Sequence, residues 1–304
     1  MTINIIQGNS FKKLKQIDDE SIDCCITSPP YYGLRDYGES DQIGQEDTYQ
    51  EYIENLVNIF EEVRRVLKSN GTLWLNLGDT YSSGKRRTTT NQTIRGNTNY
   101  GVKRAKPQLN IKPKDLMGIP WRVAFALQEK GWYLRQDIIW HKPSPMPESV
   151  KDRCTKSHEY IFLFSKNEKY YFDNESIKEK SKYPNGPNSP EKVKAVQGVY
   201  SVNLKKIKGN AKKNKRSVWS INTVPLKDAH FATFPPKLIE PMILAGCPET
   251  GTVLDPFGGA GTTALVADRL NRNAVLIELN EEYIDITKKR LQKDNSLFLE
   301  INKE

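Results

Sequence analysis

Two short segments, far apart in this 304-residue chain, hold the residues that could do chemistry. Near the N-terminus, Ser28-Pro29-Pro30-Tyr31 follows the apolar run Ile22-Asp23-Cys24-Cys25-Ile26-Thr27, which reads as a buried strand. The two prolines fix the backbone and remove two N–H donors. The turn therefore offers carbonyls and the Ser28 hydroxyl as acceptors beside an aromatic ring. That set suits gripping a planar base that carries an exocyclic amine. Near the C-terminus, Asp255-Pro256-Phe257-Gly258-Gly259-Ala260-Gly261-Thr262-Thr263 follows a predicted strand and opens a predicted helix. Its glycines would let a bulky ligand approach the backbone, as a nucleotide cofactor requires. Taken alone, such a loop equally suits a dinucleotide.

Positioning these segments falls to elements legible from hydrophobic period. Residues 3–6, 22–27, 72–77, 133–140, 159–164, 252–254 and 274–278 read as strands. Helical spacing appears at 10–14, 48–67, 114–130 (with Pro120 as an interruption), 237–244, 263–270 and 281–292, and Ser69-Asn70-Gly71 reads as a stop after the second helix. Alternation of this kind implies an α/β fold, a mostly parallel sheet covered by helices on both faces. One domain is then assembled from residues 1–173 and 217–304, with 174–216 as an insert lacking convincing period. Residues 80–114 are polar and read as a mobile loop. Glu278 stands at the end of the strand after the glycine loop, where a carboxylate can accept ribose hydroxyl protons. The same position also suits a cap on the next helix at Asn280.

The charge is unevenly placed. The chain carries a formal +9, yet residues 174–216 hold 12 Lys/Arg against 3 acids, and residues 80–114 hold 9 Lys/Arg and none. Everything else is net acidic, so the basic character sits in two segments, the pattern of a footprint for a polyanion. Solvated lysine-rich loops account for one such segment more readily than for two. Four cysteines in a chain this long make no disulfide framework, and a reducing cytoplasm fits. Three scattered histidines give no metal-ligand spacing. No apolar run approaches a membrane span, and the first residues lack the pattern of a signal peptide.

The two motifs together resemble the amino-group DNA methyltransferases that use S-adenosylmethionine, and their order, tetrapeptide before glycine loop, resembles the permuted β group of that family. Further landmarks occur in the family's order: Gly71-Thr72-Leu73-Trp74-Leu75-Asn76-Leu77-Gly78-Asp79, Asp137-Ile138-Ile139-Trp140-His141-Lys142-Pro143, His158-Glu159-Tyr160-Ile161-Phe162-Leu163 and His230-Phe231-Ala232-Thr233-Phe234-Pro235. The loop departs from the family's usual Gly-Ser-Gly at Ala260. The resemblance implies a Rossmann-like methyltransferase fold with a twisted sheet, acting on double-stranded DNA in the cytoplasm of a prokaryote or for a phage. It implies that Ser28, Pro29, Pro30 and Tyr31 form the catalytic set. Ser28 and the Pro29 carbonyl would hold the amino hydrogens so that the nitrogen lone pair faces the methyl, and Tyr31 would stack on a flipped base.

On the cofactor side the resemblance puts Asp255 near the methionine amino end, Phe257 in the pocket wall, and Phe234 and Pro235 against the cofactor. Gly259, Gly261, Thr262 and Thr263 would form the loop, Glu278 would take the ribose, and Asn9 would stand near the adenine where the family often has Asp. Serine in the first position of the tetrapeptide resembles the cytosine-N4 enzymes; adenine N6 is the alternative. Methylation at cytosine carbon 5 needs a thiolate, and the chain lacks that family's Pro-Cys dipeptide. Cys24 and Cys25 read as core residues. Residues 174–216 would be the target-recognition insert, with Lys205, Lys206, Lys212, Lys213, Lys215 and Arg216 on phosphates. Arg35 is either a DNA contact or a solvated loop residue. A cognate restriction endonuclease would be a separate chain, and a homodimer is compatible with the sequence. Two rivals come from other classes: an RNA or protein amide methyltransferase, against which the permuted order speaks, and a catalytically silent DNA-binding module.

Overall fold

Strand and helix signals from both ends of the chain converge on one mixed sheet. A computed structural model describes residues 1–34, 41–82, 111–181, 212–224, 234–294 and, for the backbone, 300–303. The order of elements is β1 (Thr2–Gln7), α1 (Ser10–Leu14), β2 (Ile22–Thr27), α2 (Tyr49–Val66), β3 (Leu67–Leu77), α3 (Ile119–Glu129), β4 (Tyr133–His141) and β5 (His158–Ser165). There follow β6 (Glu179–Lys180), β7 (Lys212–Lys213), β8 (Val218–Ser220), α4 (Pro236–Gly246), β9 (Thr252–Asp255), α5 (Thr262–Arg269), β10 (Asn273–Glu278), α6 (Glu281–Asp294) and β11 (Glu300–Lys303).

The chain divides into two compact units, Met1–Phe172 with Ser217–Glu304, and Asp173–Arg216. In the first, the described residues form a sheet of nine strands in the order β11-β1-β10-β9-β2-β3-β5-β4-β8. Neighbours are parallel except around β5, which runs antiparallel to both β3 and β4. The expected α/β fold with a mostly parallel sheet is what forms. In the second unit β6 and β7 pair antiparallel, and Glu179 lies 3.6–3.7 Å from the basic groups of Lys213, Lys215 and Arg216.

Side-chain alternation explains the two covered faces. Leu73, Leu75 and Leu77 of β3 join a core with Leu56, Phe60 and Val63 of α2 and Val123 and Leu127 of α3. Trp74 points the other way, so close to Gly246 of α4 that a Cβ there would lie 2.6 Å from its indole nitrogen. Helix α2 opens on a capping box in which Thr48 and Glu51 satisfy each other's backbone N–H groups.

Two sequence expectations need correction. The predicted helix at 114–130 begins only at Ile119, because Pro120 occupies its first turn, where a missing N–H costs nothing. The Asp79 carboxylate then accepts from Gly118 N and Ile119 N at 3.1 and 3.0 Å, capping that helix from another strand's end. Likewise Ser69-Asn70-Gly71 is not a stop. The chain passes at Leu67 straight from α2 into β3, whose early residues pair with β2 at Ile22. Among the described residues no helix is long and apolar enough to cross a membrane.

Candidate active site

Two motifs more than 200 positions apart meet because β2 and β9 are parallel neighbours, with Cys24 opposite Val253 and Cys25 opposite Leu254. Both chains leave the sheet at the same edge, one into Ser28-Pro29-Pro30-Tyr31 and the other into the glycine loop. Between β9 and β2 the direction of travel also reverses: β10 follows β9 on one side and β3 follows β2 on the other. Such a reversal opens a crevice at the carboxyl ends of the strands. The junction is latched by Asp255. Its carboxylate accepts from Thr27 Oγ1 at 2.7 Å, Thr263 Oγ1 at 2.6 Å and Phe257 N at 3.1 Å. Burial pushes the Asp255 carboxyl up to about 6, and these three donors hold it from rising further.

The crevice is a cavity of about 530 Å³ lined by residues of both motifs. From the loop come Phe257, Gly258, Gly259 and Thr262, with Ile277, Glu278, Leu279 and Tyr283 beyond β10. Gly259 has φ +51°, and a Cβ added there would meet nothing nearer than Phe257 O at 3.9 Å, so the backbone is open to a ligand. Glu278 accepts from Gly259 N at 2.7 Å and Asn280 N at 2.8 Å, one bond to each carboxylate oxygen. Each oxygen keeps a lone pair for a ribose hydroxyl. Burial raises the Glu278 carboxyl, while those backbone donors pull it down. Apolar walls beside the Glu278 carboxylate suit an adenosine.

From the other motif come Ser28, Pro29, Pro30 and Tyr31, joined by Asn76, Trp140, Lys142, Lys156 and Glu159. These side chains form a connected network. Ser28 Oγ lies 3.2 Å from Tyr31 Oη, which donates to Glu159 Oε2 at 2.7 Å. Asn76 Nδ2 donates to the same oxygen at 3.2 Å and to Tyr160 O at 3.0 Å. Lys142 pairs with Glu159 Oε1 and lies 4.3 Å from the Trp140 ring centroid. Burial, with the Glu159 charge behind it, holds the Tyr31 phenol well above its usual range. The Tyr31 ring lies so close to Gly78 that a Cβ there would fall 2.5 Å from Cε2.

Of the residues singled out from sequence, Asn9, Ser28, Pro29, Pro30, Tyr31, Phe234, Phe257, Gly259, Thr262 and Glu278 line the cavity. Four do not. Asp255 and Thr263 lie behind the wall, bonded to each other, because a buried carboxylate must find donors. Pro235 is the N-cap residue of α4. Gly261, at φ +71°, lets α5 pack on α6; a Cβ would meet Thr287 Cγ2 at 2.3 Å. Asn9 combines its place in the wall with capping α1, accepting from Lys12 N at 3.2 Å. Glu278 makes the alternative contact to Asn280 while still facing the cavity. Lys213, Lys215 and Arg216 lie near Glu179, so their charge is partly offset within their own unit. Arg35, Lys205 and Lys206 lie outside the described residues, as do 83–110 of the basic loop. Cys24 and Cys25 are fully buried, and burial drives both thiols well above their usual range, which removes a nucleophilic role. Sequence reasoning missed Lys142, Glu159 and Tyr283. The first two sit inside quoted landmarks, but nothing local marks which landmark residue turns inward.

The DNA methylase family model matches residues 22–289. The Type II methyltransferase M.SmaI of Serratia marcescens is 49% identical over 94% of this chain and 90% of its own length. Among solved structures, the PvuII DNA methyltransferase (cytosine-N4-specific) aligns with a TM-score of 0.63 at 20% identity, over 95% of this chain and 87% of that one. A putative DNA modification methylase of Thermus thermophilus, complexed with S-adenosyl-L-methionine, aligns equally well, at 0.63 and 20%, over 99% and 98%. The fold is that of these enzymes.

Proposed function

This chain belongs to the DNA methylase family of N6/N4 methyltransferases, and we propose that it methylates the N4 amine of a cytosine flipped out of double-stranded DNA, using S-adenosylmethionine. The observation that carries the reading is one cavity lined both by Ser28–Tyr31 and by the glycine loop with Glu278. When bound, S-adenosylmethionine supplies an electrophilic methyl on a sulfonium. The remaining work falls to the chain. Glu278 takes the ribose hydroxyls, and Phe257, Ile277 and Tyr283 bracket the adenine.

An exocyclic amine is a poor nucleophile because its lone pair is conjugated with the ring. The Ser28 hydroxyl and the Pro29 carbonyl accept its two hydrogens and turn the lone pair out of the ring plane, so alignment supplies most of the rate gain. Flipping the base costs a few kcal/mol, and stacking on Tyr31 returns about 1–3 kcal/mol. A neutral Ser28 in place of an aspartate supports cytosine over adenine. The Asp173–Arg216 unit, basic and compact in its own right, is the proposed reader of the target sequence, with a cognate nuclease as a separate chain. Expression in a methylation-free host, followed by sequencing that separates N4-methylcytosine from N6-methyladenine, tests the reading. Methylcytosine at one short motif, lost in Ser28→Ala, is the expected result; methyladenine overturns the choice of base, and unmodified DNA overturns the activity.

A further inference from the structure

The methylated amine must lose a proton, and nothing in the tetrapeptide can keep one. Once the N–C bond has formed and the C–S electron pair has stayed on sulfur, the amine nitrogen carries a positive charge. Ser28 is a neutral hydroxyl and Pro29 offers only a carbonyl. A carboxylate stands two hydroxyls away, in an unbroken line: Ser28 Oγ to Tyr31 Oη at 3.2 Å, then Tyr31 Oη to Glu159 Oε2 at 2.7 Å. Of the two acceptors within reach of the Tyr31 hydroxyl, Glu159 Oε2 at 2.7 Å is much nearer than Asn76 Oδ1 at 3.3 Å, so the Tyr31 hydrogen points to Glu159 and its oxygen accepts from Ser28. Ser28 in turn keeps its own lone pairs for the amino hydrogens.

We propose that Ser28, Tyr31 and Glu159 form a proton relay with the Glu159 carboxylate as its terminal base, an inference that rests on the reading of the site given above. The amine proton passes to Ser28 Oγ as the Ser28 proton passes to Tyr31 Oη and the Tyr31 proton to Glu159 Oε2. Both hydroxyls end with one proton each, the methylamine is neutral, and Glu159 is a carboxylic acid that returns its proton to water. No heavy atom has to move.

The surroundings fit this use. Lys142 holds the other oxygen, Oε1, and Asn76 Nδ2 holds Oε2 from the side, so the carboxylate is fixed in place. Lys156 and His158, just before it in the chain, also feel its charge. Burial keeps the Tyr31 phenol protonated, as a relay through a neutral hydroxyl requires. The arrangement also explains how a serine tetrapeptide manages without the charged acceptor that an aspartate would bring: the charge is present, one tyrosine further back. Tyr31 thus has a use for its hydroxyl beyond the stacking face read from sequence.

Glu159→Gln keeps the size and an acceptor for Tyr31 but cannot take a proton, and Tyr31→Phe keeps the ring but cuts the line. Single-turnover methyl transfer should fall about 100-fold in each, the usual worth of a positioned base. The double variant should fall no further than the worse single, because both break one unit. Affinity for S-adenosylhomocysteine, and the fluorescence of an aminopurine flipped at the target, should stay within about two-fold of wild type. Independent, multiplying losses overturn the relay, as does a Glu159→Gln enzyme within about three-fold of wild-type turnover. A loss confined to flipping or cofactor affinity also overturns it and leaves Glu159 a structural prop. Should Glu159→Gln fail to fold, wild-type turnover in Tyr31→Phe alone rejects the line. Wild-type protein without methyl transfer overturns the functional reading instead, so the two failures are separable.

Discussion

Replacing Asp255 by Asn removes a buried charge while keeping the shape of the side chain. The wild-type carboxyl titrates near 6 in the folded protein against an ordinary 3.8. The folded state therefore binds this proton more tightly than the unfolded chain does. The stabilisation is fully present below pH 3.8 and is lost as pH rises through about 6. At about 1.36 kcal/mol for each unit, the whole effect is roughly 3 kcal/mol, and close to half of it falls between pH 5 and 7.5. Asn can still accept from Thr27 and Phe257 N, and its amide can donate to Thr263 Oγ1 once that hydroxyl turns. Each rearranged bond is worth only about 1 kcal/mol. Urea denaturation of both proteins from pH 5 to 7.5 gives the difference in unfolding free energy at each pH. Wild type should lose about 1.5 kcal/mol relative to Asp255→Asn across that range. A difference that stays flat with pH would mean that the latch holds Asp255 at its ordinary acidity, and the burial argument would fail.

Gly78→Ala places a methyl 2.5 Å from Tyr31 Cε2 and should displace the ring, lowering methyl transfer at least about ten-fold with cofactor affinity kept; unchanged turnover removes Tyr31's placement from the mechanism. Glu278→Ala should weaken S-adenosylhomocysteine about ten-fold or more by calorimetry, since a ribose acceptor is lost and Gly259 N is left unpaired; equal affinity overturns its role. Neutralising Lys212 and Lys213 together should weaken DNA binding about uniformly across sequences and flatten its salt dependence, and a change of methylated motif would instead make these residues readers of bases.

Much of this protein was determined by short-range sequence. Short apolar runs set β2 and β9, helical spacing set α2, and the prolines and glycines marked both motifs, because each depends on residues within a turn or two of one another. Ten of the fourteen catalytic and cofactor residues read from sequence do line the cavity. Three of the four that stand outside its wall share one cause. Asp255, Thr263 and Gly261 belong to the glycine loop in sequence, yet burial turned their side chains or their packing needs toward Thr27 and Thr287, which no local pattern announces. Asp79, two residues past the end of β3, caps a helix 40 residues on, converting what looked like a continuous helix from 114 into one that begins at Ile119. Glu159 and Lys142 reach the tetrapeptide only because β5 and β4 run antiparallel beyond β3 and so bring their ends to its edge of the sheet. Local spacing decides which elements form. Which side chains complete a site depends on strand order and register, and these are fixed by pairings between residues tens to hundreds of positions apart, from β4 with β5 to β1 with β10.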